Sequence, residues 1–294
     1  MSAIDAVFRQ LRSAGRKALM PFVTAGDPDL DFTQRVIRRL AARGCSLLEL
    51  GIPYSDPVAD GPVIQASYVR ALKKKIKLAQ ILDMVGRLAA EPEELTRFSP
   101  SKRSTAEVDY GGSAAAGPAA PPIVTMLSYA IVFRHGLAQY VADAKAAGVA
   151  GAIVPDLPVE EAGPLAAICR REDFSLIQLI APTTPHDRAR RIADSSSGFI
   201  YYVSVTGITG ERTALPPEIV DNVAWLREQT PLPICIGFGI SRPEHVRMLT
   251  PVADGLIVGS AFVRRIAEAA TKPRERVLDE IDEYAAGLLA AMEY

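Results

Sequence analysis

Eight short apolar runs alternate with amphipathic helical segments along this 294-residue chain, and that rhythm leaves few folds open. The runs are Ala18–Thr24, Ser46–Gly51, Ile123–Leu127, Gly151–Pro155, Ser175–Ile180, Phe199–Val205, Pro233–Gly237 and Gly255–Val258. Each is nearly continuous in hydrophobicity, as expected of parallel strands covered on both faces. Between them, Phe32–Arg43 sets Val36, Ile37 and Leu40 on one helical face and stops at Gly44. Thr184-Pro185-His186-Asp187 and Ser241-Arg242-Pro243-Glu244 have the form of helix N-caps with a proline and an acidic residue nearby. Eight strand–helix repeats predict an α/β chain folded as a (β/α)8 TIM barrel, one domain spanning residues 1–294. A doubly wound open sheet is the rival, but no G-x-G-x-x-G opens the chain after a first strand.

Residues 91–122 break the rhythm. They are rich in Glu, Ser, Gly, Ala and Pro and cannot bury much apolar surface. They predict a flexible, low-complexity insertion between helix 2 and strand 3 of the repeat. In a barrel such a helix-to-strand connection lies on the face opposite the chemistry, where added length is tolerated.

Composition narrows the partners. Lys and Arg number 33 against 34 Asp and Glu, for a net charge of −1, so there is no basic surplus to hold a phosphate backbone. The run Lys73-Lys74-Lys75 reads as a solvated face. Cys45, Cys169 and Cys235 are odd in number and far apart, with no disulfide framework and no zinc spacing. Cys45 and Cys235 read as small core residues. No apolar run is long enough to span a bilayer and no leader precedes the first helix, so the expected address is the cytoplasm. No metal site is expected, and His135, His186 and His245 default to surface roles.

Barrel enzymes carry their chemistry at the C-terminal ends of strands and in the loops that follow. Two carboxylates fall there. Glu49 interrupts the apolar run Leu47-Leu48-Glu49-Leu50-Gly51, and Asp60 closes the Pro/Gly-rich loop after it. A glutamate in such a run must be satisfied by a partner, be protonated, or be working; burial raises its pKa and makes it a better proton donor near neutrality. Asp156, ending the fourth run, reads as a strand-end carboxylate for loop control or as a helix N-cap. Gly207-Ile208-Thr209-Gly210, Gly237-Phe238-Gly239-Ile240-Ser241 and Val258-Gly259-Ser260-Ala261 follow runs six, seven and eight. Glycines at consecutive strand ends, next to helix starts, suit a phosphate. Ser260 either adds a hydroxyl to that cradle or caps its helix.

The motifs Met20-Pro21-Phe22-Val23-Thr24-Ala25-Gly26-Asp27-Pro28, Leu48-Glu49-Leu50-Gly51-Ile52-Pro53-Tyr54-Ser55-Asp56-Pro57, Ala59-Asp60-Gly61-Pro62-Val63-Ile64-Gln65, Asp156-Leu157-Pro158-Val159-Glu160-Glu161, Gly237-Phe238-Gly239-Ile240-Ser241 and Gly259-Ser260-Ala261 carry a resemblance. With them the chain resembles the alpha subunit family of tryptophan synthase over nearly its whole length, residues 91–122 excepted. The resemblance implies a lyase that splits indole-3-glycerol phosphate into indole and glyceraldehyde 3-phosphate by a retro-aldol reaction. It implies Glu49 as general acid/base and Asp60 as acceptor of the indole N–H, with Tyr201 as an active-site tyrosine. Phe22, Ile64, Thr209 and Phe238 match positions around the indole or the sixth loop. Gly210, Gly239, Gly259 and Ser260 match the phosphate cradle. The resemblance further implies no cofactor on this chain, and a beta partner carrying pyridoxal phosphate in an alpha2-beta2 assembly.

Ser128 and Ala130 depart from the family, which usually has Tyr and Asn there. A different phosphate barrel enzyme, such as an isomerase, and a catalytically silent barrel regulating a beta-type partner are the competing readings. The Glu49/Asp60 loop motif argues against the first, and retention of both carboxylates against the second.

Overall fold

Period-two alternation within each strand sorts the side chains between two cores. The structure, a computed structural model, describes residues 2–58, 60–90, 121–203, 217–237 and 239–293. Its eight parallel strands close in sequence order into a barrel: β1 (Ala18–Thr24), β2 (Leu48–Gly51), β3 (Ile123–Met126), β4 (Val149–Ile153), β5 (Ser175–Ile180), β6 (Ile200–Val203), β7 (Ile234–Gly237) and β8 (Gly255–Val258). Leu19, Val23, Leu48, Leu50, Ile200 and Tyr202 point outward into the layer between barrel and helices. Met20, Phe22, Leu47, Val124, Met126, Ile153, Ile177, Tyr201, Cys235 and Ile257 fill the interior. Glu49 alternates with Leu48 and Leu50, which places it on the interior side of β2.

Twelve α-helices are described. They are α1 (Ala3–Ser13), α2 (Leu30–Arg43), α3 (Pro62–Leu72), α4 (Leu78–Ala90), α5 (Tyr129–His135), α6 (Leu137–Ala146), α7 (Gly163–Arg171), α8 (His186–Ser195), α9 (Pro217–Gln229), α10 (Pro243–Leu249), α11 (Ser260–Ala267) and α12 (Arg274–Ala290). Helix α1 precedes the first repeat and closes the N-terminal end of the barrel. Its apolar stripe of Ile4, Val7, Phe8 and Leu11 joins the interior cluster, with Phe8 5.9 Å from the ring of Phe199 just before β6. Ser2 starts α1 with a capping box, and its hydroxyl also meets that of Ser175 at 3.2 Å. The floor is therefore sealed, and the opposite end is left for ligands.

Some element ends match the sequence reading and others do not. Gly44 terminates α2 in the left-handed region at φ 97°. β4 lies two residues earlier than the run Gly151–Pro155, because Pro155 has no N–H to continue the ladder. Neither expected N-cap forms. Pro185 takes the cap position of α8, and the Thr184 hydroxyl accepts the Ala181 N–H at 3.0 Å instead. Arg242 takes that of α10, with no side-chain cap bond. Cys45, Cys169 and Cys235 are buried and free, and Lys73, Lys74 and Lys75 are exposed. Of the low-complexity stretch, residues 91–120 lie outside the described residues, so its expected flexibility does too. Among the described residues no helix is long and apolar enough to cross a membrane, and no cluster could hold a metal ion.

Candidate active site

Parallel pairing of β1 with β2 sets Phe22 opposite Glu49 near the C-terminal rim of the barrel. Glu49 is 1% exposed, and neither carboxylate oxygen has a hydrogen-bond partner among the described residues. A charge there would be unsolvated, so burial pushes the carboxyl up to about 8, and the nearby Asp60 charge adds to the push. Glu49 thus holds a proton at neutral pH.

Asp60 reaches the same mouth from the loop after β2. That loop is held by its own hydrogen bonds: the Asp60 N–H donates to Pro57 O at 3.0 Å, and Gln65 Nε2 donates to Pro57 O at 3.1 Å and Asp60 O at 2.8 Å. Burial raises Asp60 to about 6, opposed by a hydrogen bond from the Tyr54 hydroxyl to Oδ2 at 3.2 Å. Two carboxyls of one site are therefore separated. Near pH 7 one is an acid and the other an anion.

Two glycines make room for the rings that frame them. A Cβ on Gly51 would lie 2.4 Å from Phe22 Cζ and 2.8 Å from the Tyr68 hydroxyl oxygen. One on Gly237 would lie 2.6 Å from the Tyr201 hydroxyl oxygen. Only glycine lets these rings lie against β2 and β7. Tyr201 is buried, and burial first, then the charges of Glu49 and Asp60, hold its phenol well above its usual range. It stays protonated and can only donate to an anion beside it.

The β8 loop meets this frame. A Cβ on Gly259 would lie 3.5 Å from Ile64 Cδ1 and 3.8 Å from Phe22 Cβ, so the loop borders the same two side chains. Gly259 occupies the cap position of α11 without any side-chain cap bond, and its own carbonyl accepts from Phe262 and Val263. The N–H groups of Ser260 and Ala261 are left facing outward from the helix start, where an anion is favoured. Ser260 is the first helical residue rather than the cap. Gly239 follows β7 at φ 76°. Its carbonyl lies 3.2 Å from His245 Nδ1, which also meets the Ser241 N–H at 3.3 Å.

A model of the tryptophan synthase alpha chain family matches residues 8–95 and 108–292. The chain belongs to the tryptophan synthase alpha chain family. It is 54% identical over 281 residues to the tryptophan synthase alpha chain of Rhodopirellula baltica, covering 96% of this chain and 92% of that relative. It is 38% identical to that of Caldanaerobacter subterraneus subsp. tengcongensis, covering 98% of each. The crystal structure of the tryptophan synthase alpha chain from Legionella pneumophila superposes with a TM-score of 0.81 at 30% identity, covering 100% of this chain and 98% of that one. A chain of the tryptophan synthase complex from Pyrococcus furiosus does so with a TM-score of 0.76 at 32% identity, covering 94% and 99%. The carboxylate-bearing barrel is thus a lyase-type subunit of tryptophan biosynthesis.

Of the residues singled out from sequence, the structure gathers Phe22, Glu49, Asp60, Ile64, Tyr201, Gly259 and Ser260 around one barrel mouth, with Gly239 in the loop beyond β7. Thr209, Gly210 and Phe238 lie outside the described residues. Ser128 caps α5: its Oγ accepts the Ala130 N–H at 3.2 Å and donates to Asp156 Oδ2 at 2.6 Å. Asp156 Oδ1 takes the Tyr129 N–H at 2.7 Å. Asp156 therefore ties the ends of β3 and β4 together and takes the first N–H of α5; it does not cap a helix of its own.

Two residues that sequence reasoning gave no role, and one that it placed at the surface, also shape the site. They are Tyr54, Tyr68 and His245. The last is 6% exposed, buried beneath the β7 loop and not at the surface.

Proposed function

We propose that the chain cleaves indole-3-glycerol phosphate to indole and glyceraldehyde 3-phosphate, with Glu49 moving the proton. The observation that carries this reading is the pairing of a buried, unpartnered, proton-holding Glu49 with an ionised Asp60 at one barrel mouth. Glu49 gives its proton to C3 of the indole. The ring becomes an indoleninium cation, and the Asp60 carboxylate accepts its N–H and balances its charge. The C–C bond then breaks. Its electron pair returns to the ring, while the Glu49 carboxylate takes the proton of the glycerol hydroxyl as that carbon becomes an aldehyde. Glu49 ends protonated, as it began, and no water or redox partner is consumed.

The remaining roles follow from position. Phe22 and Ile64, with Thr209 and Phe238, enclose the indole. Gly259 and Ser260, at the start of α11, hold the phosphate on backbone N–H groups, with Gly239 and Gly210 as the other members of the cradle. Tyr201 borders the reacting carbons as a donor. The chain works in the cytoplasm in an alpha2-beta2 assembly whose beta subunit carries pyridoxal phosphate; the complex found for the Pyrococcus furiosus relative supports a partner of this kind. The chain is one domain, with residues 91–122 as an insertion within it.

The purified chain, incubated with indole-3-glycerol phosphate alone and with a beta subunit, should release indole in both mixtures and faster in the second. Absence of indole in both would overturn the reaction.

A further inference from the structure

We infer that Tyr54 is a positioning residue that keeps Asp60 oriented and available as an anion at the barrel mouth; the inference rests on the reading of Asp60 as the anion facing the indole N–H. The geometry is specific. The Tyr54 hydroxyl donates to Oδ2 of Asp60 at 3.2 Å, and Oδ1 makes no side-chain hydrogen bond among the described residues. One oxygen is thereby fixed and the other is left for the substrate. The donor itself is held firmly. The Tyr54 ring packs on that of Tyr68, centroids 5.3 Å apart and tilted by 55°. Tyr68 is fully buried on α3, and its hydroxyl lies against Gly51, two residues beyond Glu49. Two packed rings thus connect the β2 end to the Asp60 carboxylate and leave it little freedom to turn away.

The ionisable groups around Asp60 are Glu49 from β2, Tyr54 in its own loop, Tyr68 from α3, Tyr201 from β6, and Asp156 at the end of β4, whose charge reaches Tyr54. The three phenols are all held above their ordinary range, so they stay protonated wherever the enzyme works. Asp156 is engaged with Ser128 and Tyr129. Across the acid side, the hydrogen bond from Tyr54 is the feature that favours the charged form of Asp60 against its burial.

Tyr54→Phe tests this, because it removes the hydroxyl and keeps the ring packed on Tyr68. The acid limb of kcat/KM for indole release should move up by about one pH unit, the size of one charge-assisted hydrogen bond. Turnover would then fall about tenfold at pH 5 but stay within about twofold of the wild type at pH 7.5. A limb that does not move overturns the inference, and so does a loss equal at every pH, which marks a merely structural ring. Glu49→Gln run alongside separates the two levels. An active Glu49→Gln overturns the proposed reaction itself. An inactive one, together with an unmoved Tyr54→Phe limb, overturns only the role of Tyr54.

Discussion

Glu49→Gln should be more stable than the wild-type chain at alkaline pH. The unfolded chain releases the Glu49 proton near the ordinary value of 4.5, whereas the buried carboxyl keeps it up to about 8. Below pH 4.5 both states hold the proton, and the folded state loses nothing through this group. Between those two values only the unfolded state ionises, so stability falls as pH rises, by about 1.4 kcal/mol per pH unit. The full span sets an upper bound on the order of 5 kcal/mol, and relaxation around the charge reduces it. The amide of the Glu49→Gln variant does not ionise in either state and so escapes this loss. The variant's advantage should be about 2–5 kcal/mol at pH 8 and close as pH falls toward 4.5, as read by urea denaturation across a pH series. A difference that does not change with pH would mean that Glu49 is not protonated in the fold. The site is, on this view, a place where the chain gives up stability for chemistry.

The second large effect is on rate. If Asp60 must be ionised and Glu49 protonated, kcat/KM for indole release follows a bell, rising through about 6 and falling through about 8. Each limb costs about tenfold per pH unit once past its midpoint, so activity at pH 10 should be about a hundredth of that at the optimum. The direction of each limb is set by its residue. Loss on the acid side comes from protonating Asp60, and loss on the alkaline side from emptying Glu49. Steady-state rates from pH 5 to 10 check this. A rate that keeps rising above pH 8 would show that Glu49 works as an anion.

Much of this was legible in residues taken singly. A glutamate in an apolar strand stands out because burial makes it expensive, and strand alternation then decides which side it faces. The barrel follows from the repeat, since eight short apolar runs joined by helices have few ways to cover both faces. What was hidden depends on pairs distant in sequence. Asp156 and Ser128 are separated by 28 residues, and only the closing of β3 beside β4 brings them to 2.6 Å. Tyr54 sits in a Pro-rich loop with no periodicity to reveal its direction. Tyr68 looks like one more apolar residue of α3 until the absence of a side chain at Gly51 lets its hydroxyl reach the rim. His245 lies on a seven-residue helix, too short for its buried face to be read from pattern.

The Ser128 hydroxyl at once caps α5 and ties its start to Asp156, so the end of β3 is held beside that of β4. Burial is what keeps the two carboxyls in their separate protonation states, with the Asp60 charge adding to it at Glu49 and the Tyr54 hydroxyl opposing it at Asp60.

The most direct test of the central claim is single-turnover release of indole from indole-3-glycerol phosphate by Glu49→Gln beside the wild type, with substrate binding measured by calorimetry on the same preparations. Removing only the transferable proton should leave binding within about threefold and slow release by about 10³-fold. A folded Glu49→Gln that binds the substrate and releases indole within tenfold of the wild-type rate would contradict the assignment of Glu49 as the proton donor.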